Sequence, residues 1–255
     1  MDLRTVPGFW RVEHHDEIAS TQDAALAAAR NGERGPLAIL AHRQTAGRGR
    51  GGRAWAAPAG NLNFSALLRP DNEALQPGAW SLLAGVAVFE AAACFAPAAG
   101  LMLKWPNDLL LDGGKLGGVL IECALRSDGK VDWVVIGVGV NLVAAPKLAD
   151  RATSCLADVA PPVPAEDVAR LLMAEIDRWR AAGVAAVRAA WLARAHKVGT
   201  RLRVRRTEDF VEGAFLGLTE DGRLILEGAG AIVSGEAEIL PQDEAVLKKR
   251  MGSGA

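Results

Sequence analysis

The sequence predicts an α+β protein: a mixed β-sheet packed with helices over residues 1–196, then a small all-β domain over 197–241. Three observations carry this. Through residue 140, short apolar runs bounded by Gly and Asp turns recur, interrupted by two helical stretches. Residues 166–195 then read as helix, with one break near Gly183. After Lys197 the pattern changes to short strands around Asp221-Gly222 and Gly228, which suggests an SH3-like barrel. Residues 242–255 read as a flexible tail.

The elements follow in order. Trp10 to Ile18 is a first strand. Ser20-Thr21-Gln22-Asp23 fits a capping box opening an Ala-rich helix to about Arg30, which Asn31-Gly32 ends. Leu37 to Ala41 is a short buried strand, followed by a Gly- and Arg-dominated loop from Thr45 to Arg53. Leu62 to Leu68 is a strand and Trp80 to Phe95 a buried helix. Leu101 to Trp105, Asp108 to Leu111, Leu116 to Leu125 and Val131 to Val140 are strands, punctuated by Asp112-Gly113-Gly114 and Ser127-Asp128-Gly129. Ala145 to Pro164 holds four prolines and reads as irregular.

Composition narrows the function classes. With 255 residues, 50% apolar and 23% charged, the chain supports a substantial core. A formal net charge of −1 gives no global field toward nucleic acid or membrane, so any bound anion must be held locally. Cys94, Cys123 and Cys155 are odd in number and far apart, which argues against disulfides or zinc and for a reducing, cytoplasmic setting. The four histidines, His14–His15 included, lack ligand spacing. No apolar leader opens the chain, and Trp80 to Ala96 is too short and, with Glu90, too polar to span a bilayer. Arginine outnumbers lysine 22 to 7, so a lysine within an apolar stretch is less readily filler.

Three constellations carry chemistry. In Gln44 to Trp55, four glycines allow close backbone approach, and Arg48, Arg50 and Arg53 add forked donors suited to phosphate. A solvated basic loop or an RNA-binding segment fits the same composition. No GK[ST] follows, so it is not a Walker A loop. The second runs from Lys104 to Leu109 and from Gly114 to Glu122. Lys104 and Lys115 sit beside buried strands, where an unpaired ammonium is costly. Asp108 and Glu122 are candidate internal partners; an anionic ligand is the sharper reading. The third, Gly137-Val138-Gly139-Val140-Asn141, imitates a dinucleotide fingerprint only partly. It would let a glycine-relieved strand pass close to a flat base.

Together these segments resemble the biotin–protein ligases. That family shows a Ser-Thr-Asn helix start, a GRGRxGR loop, KWPNDL followed by KxxGxLxE, and a GxGxN strand. Here the matching residues are Ser20-Thr21-Gln22, Gly47 to Arg53, Lys104 to Leu109, Lys115 to Glu122 and Gly137 to Asn141. One position departs: Gln22 stands where the family has Asn, one methylene longer in reach.

The resemblance implies a class II synthetase-like catalytic domain that adenylates biotin with ATP. It would then pass biotin from biotinoyl-5′-AMP to a lysine of a biotin carboxyl carrier protein domain. By position, Ser20, Thr21, Gln22 and Gln44 would surround the ureido ring. Arg48, Gly49 and Arg50 would wrap the biotin carboxylate and α-phosphate, and Lys115 would touch both. Arg50, Arg53, Trp55, Lys104, Asn107 and Asn141 would contact ATP. Lys115, Arg50 and Asp108 would be the catalytic groups, with Asp108 holding Mg²⁺ or orienting the incoming lysine. Some family members also repress transcription through an N-terminal helix-turn-helix. Only 19 residues precede Ser20 here, so a ligase-only form is expected, monomeric or homodimeric, without specific nucleic acid or membrane partners. A lipoate or octanoate ligase of the same fold, or a non-catalytic biotin sensor, remain as alternatives.

Overall fold

A computed structural model describes residues 9–70, 75–96, 100–206 and 209–240. The expected tail, 242–255, lies outside them. The larger sheet has seven strands: β1 (Arg11–Ile18), β2 (Leu37–Gln44), β3 (Leu62–Leu68), β4 (Leu101–Lys104), β5 (Asp108–Leu111), β6 (Gly114–Leu125) and β7 (Val131–Val140). Their order is β1-β2-β3-β7-β6-β5-β4. β1 and β2 run parallel and every other neighbouring pair antiparallel, so the sheet is mixed. The one parallel pair needs a crossover, which α1 (Thr21–Arg30) supplies.

Side-chain alternation splits the sheet into two faces. Ala38, Leu40, Phe64, Ala66, Ile136 and Val138 point into the main core, beneath α2 (Pro77–Ala93), α3 (Ala165–Ala182) and α4 (Val184–Arg194). Leu37, Ile39, Leu67 and Val135 point the other way, against Ala25, Leu26 and Ala29 of α1. Helix α1 is only ten residues long and covers just part of that face. Beyond it the same alternation continues as Asn63 and Ser65 on β3 and Gly137 and Gly139 on β7. Polar and side-chain-free positions thus replace aliphatic ones where the face is uncovered.

Helix α2 begins three residues earlier than its apolar run implies, because Pro77 occupies the first turn, where a missing N–H costs nothing. The break at Gly183 has φ 82° and separates α3 from α4. After α4 come β8 (Arg201–Arg205), β9 (Phe210–Leu218), β10 (Leu224–Leu226), β11 (Gly230–Ile232) and β12 (Glu236–Ile239), in the order β11-β10-β9-β8-β12 and antiparallel throughout. This five-stranded sheet fits the expected SH3-like fold. Its apolar residues Leu202, Val204, Phe215 and Leu224 join the core of the larger sheet. The Trp105 indole N–H crosses the junction to the Gly222 carbonyl at 3.1 Å. Among the described residues the three cysteines are free thiols, and no helix is long and apolar enough to cross a membrane.

His196 sits at the same junction, its ring 4.4 Å from that of Phe215 and 6.4 Å from that of Trp191. Both ring nitrogens are buried without a partner. Burial, and then the Lys104 charge, push its pKa down to about 4. The group folds neutral, so its contribution is intact above its unfolded pKa near 6.5 and is lost as pH falls toward 4. The loss is about 3 kcal/mol for a shift of this size. His196→Leu is expected to flatten the pH dependence of denaturant stability across that window without lowering stability at pH 7. Equal acid sensitivity in both proteins would remove His196 as its source.

Candidate active site

The uncovered end of the sheet is the floor of a cleft of about 230 Å³, walled by the start of α1, the arginine loop, the 145–154 segment and the rim of β12. Ser20 caps α1, its Oγ accepting from the Asp23 N–H at 3.3 Å. The Asp23 carboxylate faces Arg48, so the capping box forms on the Ser20 side. This cap fixes the next two residues over the floor. The Thr21 N–H donates to Gln44 Oε1 at 2.7 Å, and its hydroxyl lies 3.2 Å from that oxygen and 2.9 Å from Ser65 Oγ. Gln44 Nε2 donates to Asn63 Oδ1 at 3.0 Å. The result is a chain of fixed amide and hydroxyl groups along the cleft floor, beside apolar Val119, Leu120 and Val138.

Gln22 belongs to this chain. It is 3% exposed, accepts from Ser65 Oγ at 3.2 Å and donates to Glu122 Oε2 at 3.0 Å. Its extra methylene is accommodated by Gly137, where a Cβ would stand 2.5 Å from Gln22 Oε1. A Gln22 turned into solvent is therefore not what the fold adopts. Glu122, a candidate partner for a buried lysine, instead takes Gln22 and the Arg48 guanidinium, the latter at 3.0 Å. Those two carboxylates, Glu122 first and then Asp23, raise the Arg48 pKa above its usual value.

The loop is a small hairpin: the Gly49 N–H bonds the Arg53 carbonyl at 2.7 Å and the Trp55 N–H the Gly47 carbonyl at 2.9 Å. It lays the Trp55 indole against Gly139, where a Cβ would stand 2.3 Å from the ring. Lys115 Nζ lies 5.9 Å from the centre of that ring. Glycine at 139 is thus what lets an aromatic plane rest on the strand.

Asp108, 6% exposed, accounts for both lysines: Lys115 Nζ is 2.5 Å from Oδ1 and Lys104 Nζ is 3.3 Å from Oδ2. Lys115 lines the cleft. Lys104 does not, so of the residues expected at the site it alone stands outside the lining. Asn107 staples β5 to β6 through the Val119 carbonyl at 2.6 Å. Asn141 donates to the Lys115 and Ser154 carbonyls at 3.3 and 3.1 Å, leaving its buried Oδ1 without a partner.

Sequence reasoning missed Ser65, Arg151 and Glu236, all of which line the cleft. Ser65 lies in a fully buried strand whose apolar run is broken only by Asn63 and Ser65, and Arg151 in a stretch that reads only as a connector. Glu236 comes from the C-terminal sheet. Bonds from Arg53 and Arg205 and the charge of Arg151 hold its carboxyl far below the usual carboxylate range.

A mixed sheet whose open end joins fixed amides, a lysine and an arginine hairpin suits a carboxylate-bearing ligand beside phosphates. The chain belongs to the biotin/lipoate A/B protein ligase family, whose model matches residues 17–141. The relatives it resembles within that family are biotin ligases. A biotin–[acetyl-CoA-carboxylase] ligase of Paracoccus denitrificans is 40% identical over 79% of this chain and 88% of its own length. One of Mycobacterium tuberculosis is 37% identical over 85% and 83%. The biotin protein ligase of Aquifex aeolicus, solved with biotin and ATP, superposes with a TM-score of 0.75 at 25% identity, covering 91% of this chain and 99% of that one.

Proposed function

We propose that this chain is an ATP-dependent ligase that activates biotin as biotinoyl-5′-AMP. It then transfers the biotinoyl group to a lysine of a biotin carboxyl carrier protein domain. The observation that carries the reading is the neighbourhood in one cleft of the Thr21–Gln22–Gln44–Ser65 amide and hydroxyl chain with Lys115 and the arginine hairpin. A ureido ring needs paired donors and acceptors in an apolar pocket, and the first group supplies them. A carboxylate meeting a triphosphate needs its repulsion cancelled, and the second group does that.

In the first step a biotin carboxylate oxygen attacks the α-phosphorus. The bond to the β-phosphate oxygen breaks and pyrophosphate leaves. Lys115 and Arg48 stabilise the charge on the transferring phosphoryl group, while Asp108 fixes the Lys115 ammonium. In the second step the acceptor amine attacks the acyl carbon, AMP departs with its phosphate oxygen, and the amine's proton passes to solvent. No side chain acts as nucleophile. Arg53, Trp55, Asn107 and Asn141 serve the nucleotide: the indole on Gly139 offers a stacking plane, and the unpartnered Asn141 Oδ1 is a candidate acceptor for an amino group. Gly49 and Arg50 lie at the hairpin's mouth and close over the intermediate, keeping water from the mixed anhydride.

Both Asp108 oxygens already face ammonium groups, and no set of three His, Cys, Asp or Glu side chains among the described residues is placed to hold a metal. The residues do not form a protein-built Mg²⁺ site, and no step here is assigned to Mg²⁺. The C-terminal strands act as a second domain covering the nucleotide end, a role supported by Glu236 at the rim. Free thiols support action in a reducing, cytoplasmic compartment. The test is to incubate the chain with ATP, biotin and a carrier domain. Mass spectrometry should find one biotinoyl adduct on a single carrier lysine; absence of transfer at saturating substrates would contradict the reading.

A further inference from the structure

Four polar groups form one hydrogen-bonded line that ends in the cleft: the Ala41 carbonyl, the Asn63 amide, the Gln44 amide and the Thr21 N–H. Asn63 Nδ2 donates to the Ala41 carbonyl at 3.3 Å, and Gln44 Nε2 donates to Asn63 Oδ1 at 3.0 Å. The Thr21 N–H donates to Gln44 Oε1 at 2.7 Å. Both ends are backbone groups of fixed sense, since a carbonyl only accepts and an N–H only donates. The two amides between them therefore have a single orientation. A reversed Gln44 would set N–H against N–H at Thr21 and oxygen against oxygen at Asn63, which is 2% exposed and has no solvent to relieve the mismatch. Ala41 and Asn63 lie one step beyond the last β2–β3 pair, Leu40↔Phe64. A short amide suits that place because it offers a donor on one side and an acceptor on the other.

We infer that Asn63 is a positioning residue for ligand specificity: by fixing the Gln44 amide, it leaves one Gln44 Nε2 hydrogen to be met by an acceptor, the ureido carbonyl of biotin. This rests on the biotin reading above and adds a residue that none of the recognised motifs contains. Gln44 lines the cleft and Asn63 does not, so Asn63 acts through Gln44. A side-chain amide has two lone-pair positions and two hydrogens. Thr21 meets the oxygen with its N–H at 2.7 Å and its hydroxyl at 3.2 Å, and Asn63 takes one hydrogen. Gly47 leaves Nε2 uncovered on the hairpin side, where a Cβ would stand 3.0 Å away. A ligand is thus offered a donor alone. A ring bearing a carbonyl satisfies it, whereas a ring bearing N–H in that place sets donor against donor. Without Asn63 the Thr21 end of the amide stays pinned, the Nε2 end is unheld, and the donor loses its aim.

A ratio of affinities separates this from a packing role. Biotin and its cyclic guanidine analogue 2-iminobiotin, which has N–H where biotin has the ureido oxygen, are titrated calorimetrically into the chain and three variants. All titrations use one pH, so the analogue's charge is common to them. Asn63→Ser leaves space and Asn63→Leu fills it, yet both remove the bridge from Ala41 to Gln44. In each, the preference for biotin over the analogue should fall about fivefold or more, the scale of one lost hydrogen bond, with biotin affinity carrying most of the change. Asn63→Asp has the same shape and still accepts from Gln44, so its preference should stay within about twofold of wild type. Equal losses for the two ligands make Asn63 a packing residue and overturn the inference, as does an Asp variant that behaves like the Leu one. Because Ser and Leu change the volume in opposite senses, a folding defect in one leaves the other to decide. Absence of biotin binding by the wild type defeats the ligase reading itself, whereas binding with an unaltered preference in the Ser and Leu variants defeats only the role of Asn63.

Discussion

Lys115→Ala is expected to slow adenylate formation by about 10²–10³-fold while leaving the fold intact. The magnitude is the usual loss for one donor aimed at charge that develops in a transition state. Lys115 has no other work to do: its ammonium lines the cleft on one side and meets Asp108 on the other. The truncation does not orphan the buried carboxylate, because Lys104 still pairs with Asp108 Oδ2. An uncompensated buried charge, which would cost several kcal/mol, is thereby avoided. Lys104→Ala is the matched control. It leaves Asp108 with Lys115, lies outside the cleft lining, and should slow the reaction far less. Single-turnover formation of biotinoyl-5′-AMP measures both. Equal, small losses would make the lysines a structural pair and move the catalytic charge to the arginines.

Gln22→Ala is expected to weaken biotin binding about tenfold or more, corresponding to about 1.4 kcal/mol. The side chain is buried, spans Ser65 and Glu122, and sits in space that Gly137 leaves open. On the proposed reading, removing it deletes a ring partner, and it also leaves Ser65 and Glu122 each one partner short, a loss of about 1–3 kcal/mol. Gln22→Asn keeps the amide and loses one methylene. It should bind biotin nearly as well as wild type if the amide itself meets the ring. Calorimetric titration of biotin decides it: affinity unchanged within about twofold in the Ala variant removes Gln22 from the site.

Periodicity located β3, β5 and β7 to the residue, because each is an apolar run ended by a charge, a turn pair or a polar amide. Ser20 was legible as a cap because capping is a local bond. Contacts between residues far apart in the chain were not legible. That Glu122 would hold Gln22 and Arg48, and that Glu236 would gather three arginines, depends on strand order, whereas Asp108, close in the chain to both lysines, was already a candidate partner for them. The strand order is written in no local pattern. His196 reads as an ordinary polar residue after a helix, and only the approach of Phe215 buries it. Arg151 was overlooked for a related reason: an irregular segment rich in proline carries no period, yet its backbone pairs with Lys115 through Thr153 and so reaches the cleft.

The central claim is that biotin's carboxylate and the α-phosphate of ATP react in the cleft bounded by Gln22, Lys115 and the arginine hairpin. Exchange of labelled pyrophosphate into ATP isolates that step from carrier binding and from transfer. The account predicts exchange that depends on biotin, is absent with lipoate or octanoate in its place, and falls at least a hundredfold in Lys115→Ala. Exchange that proceeds equally without biotin, or that lipoate supports as well as biotin, would contradict it.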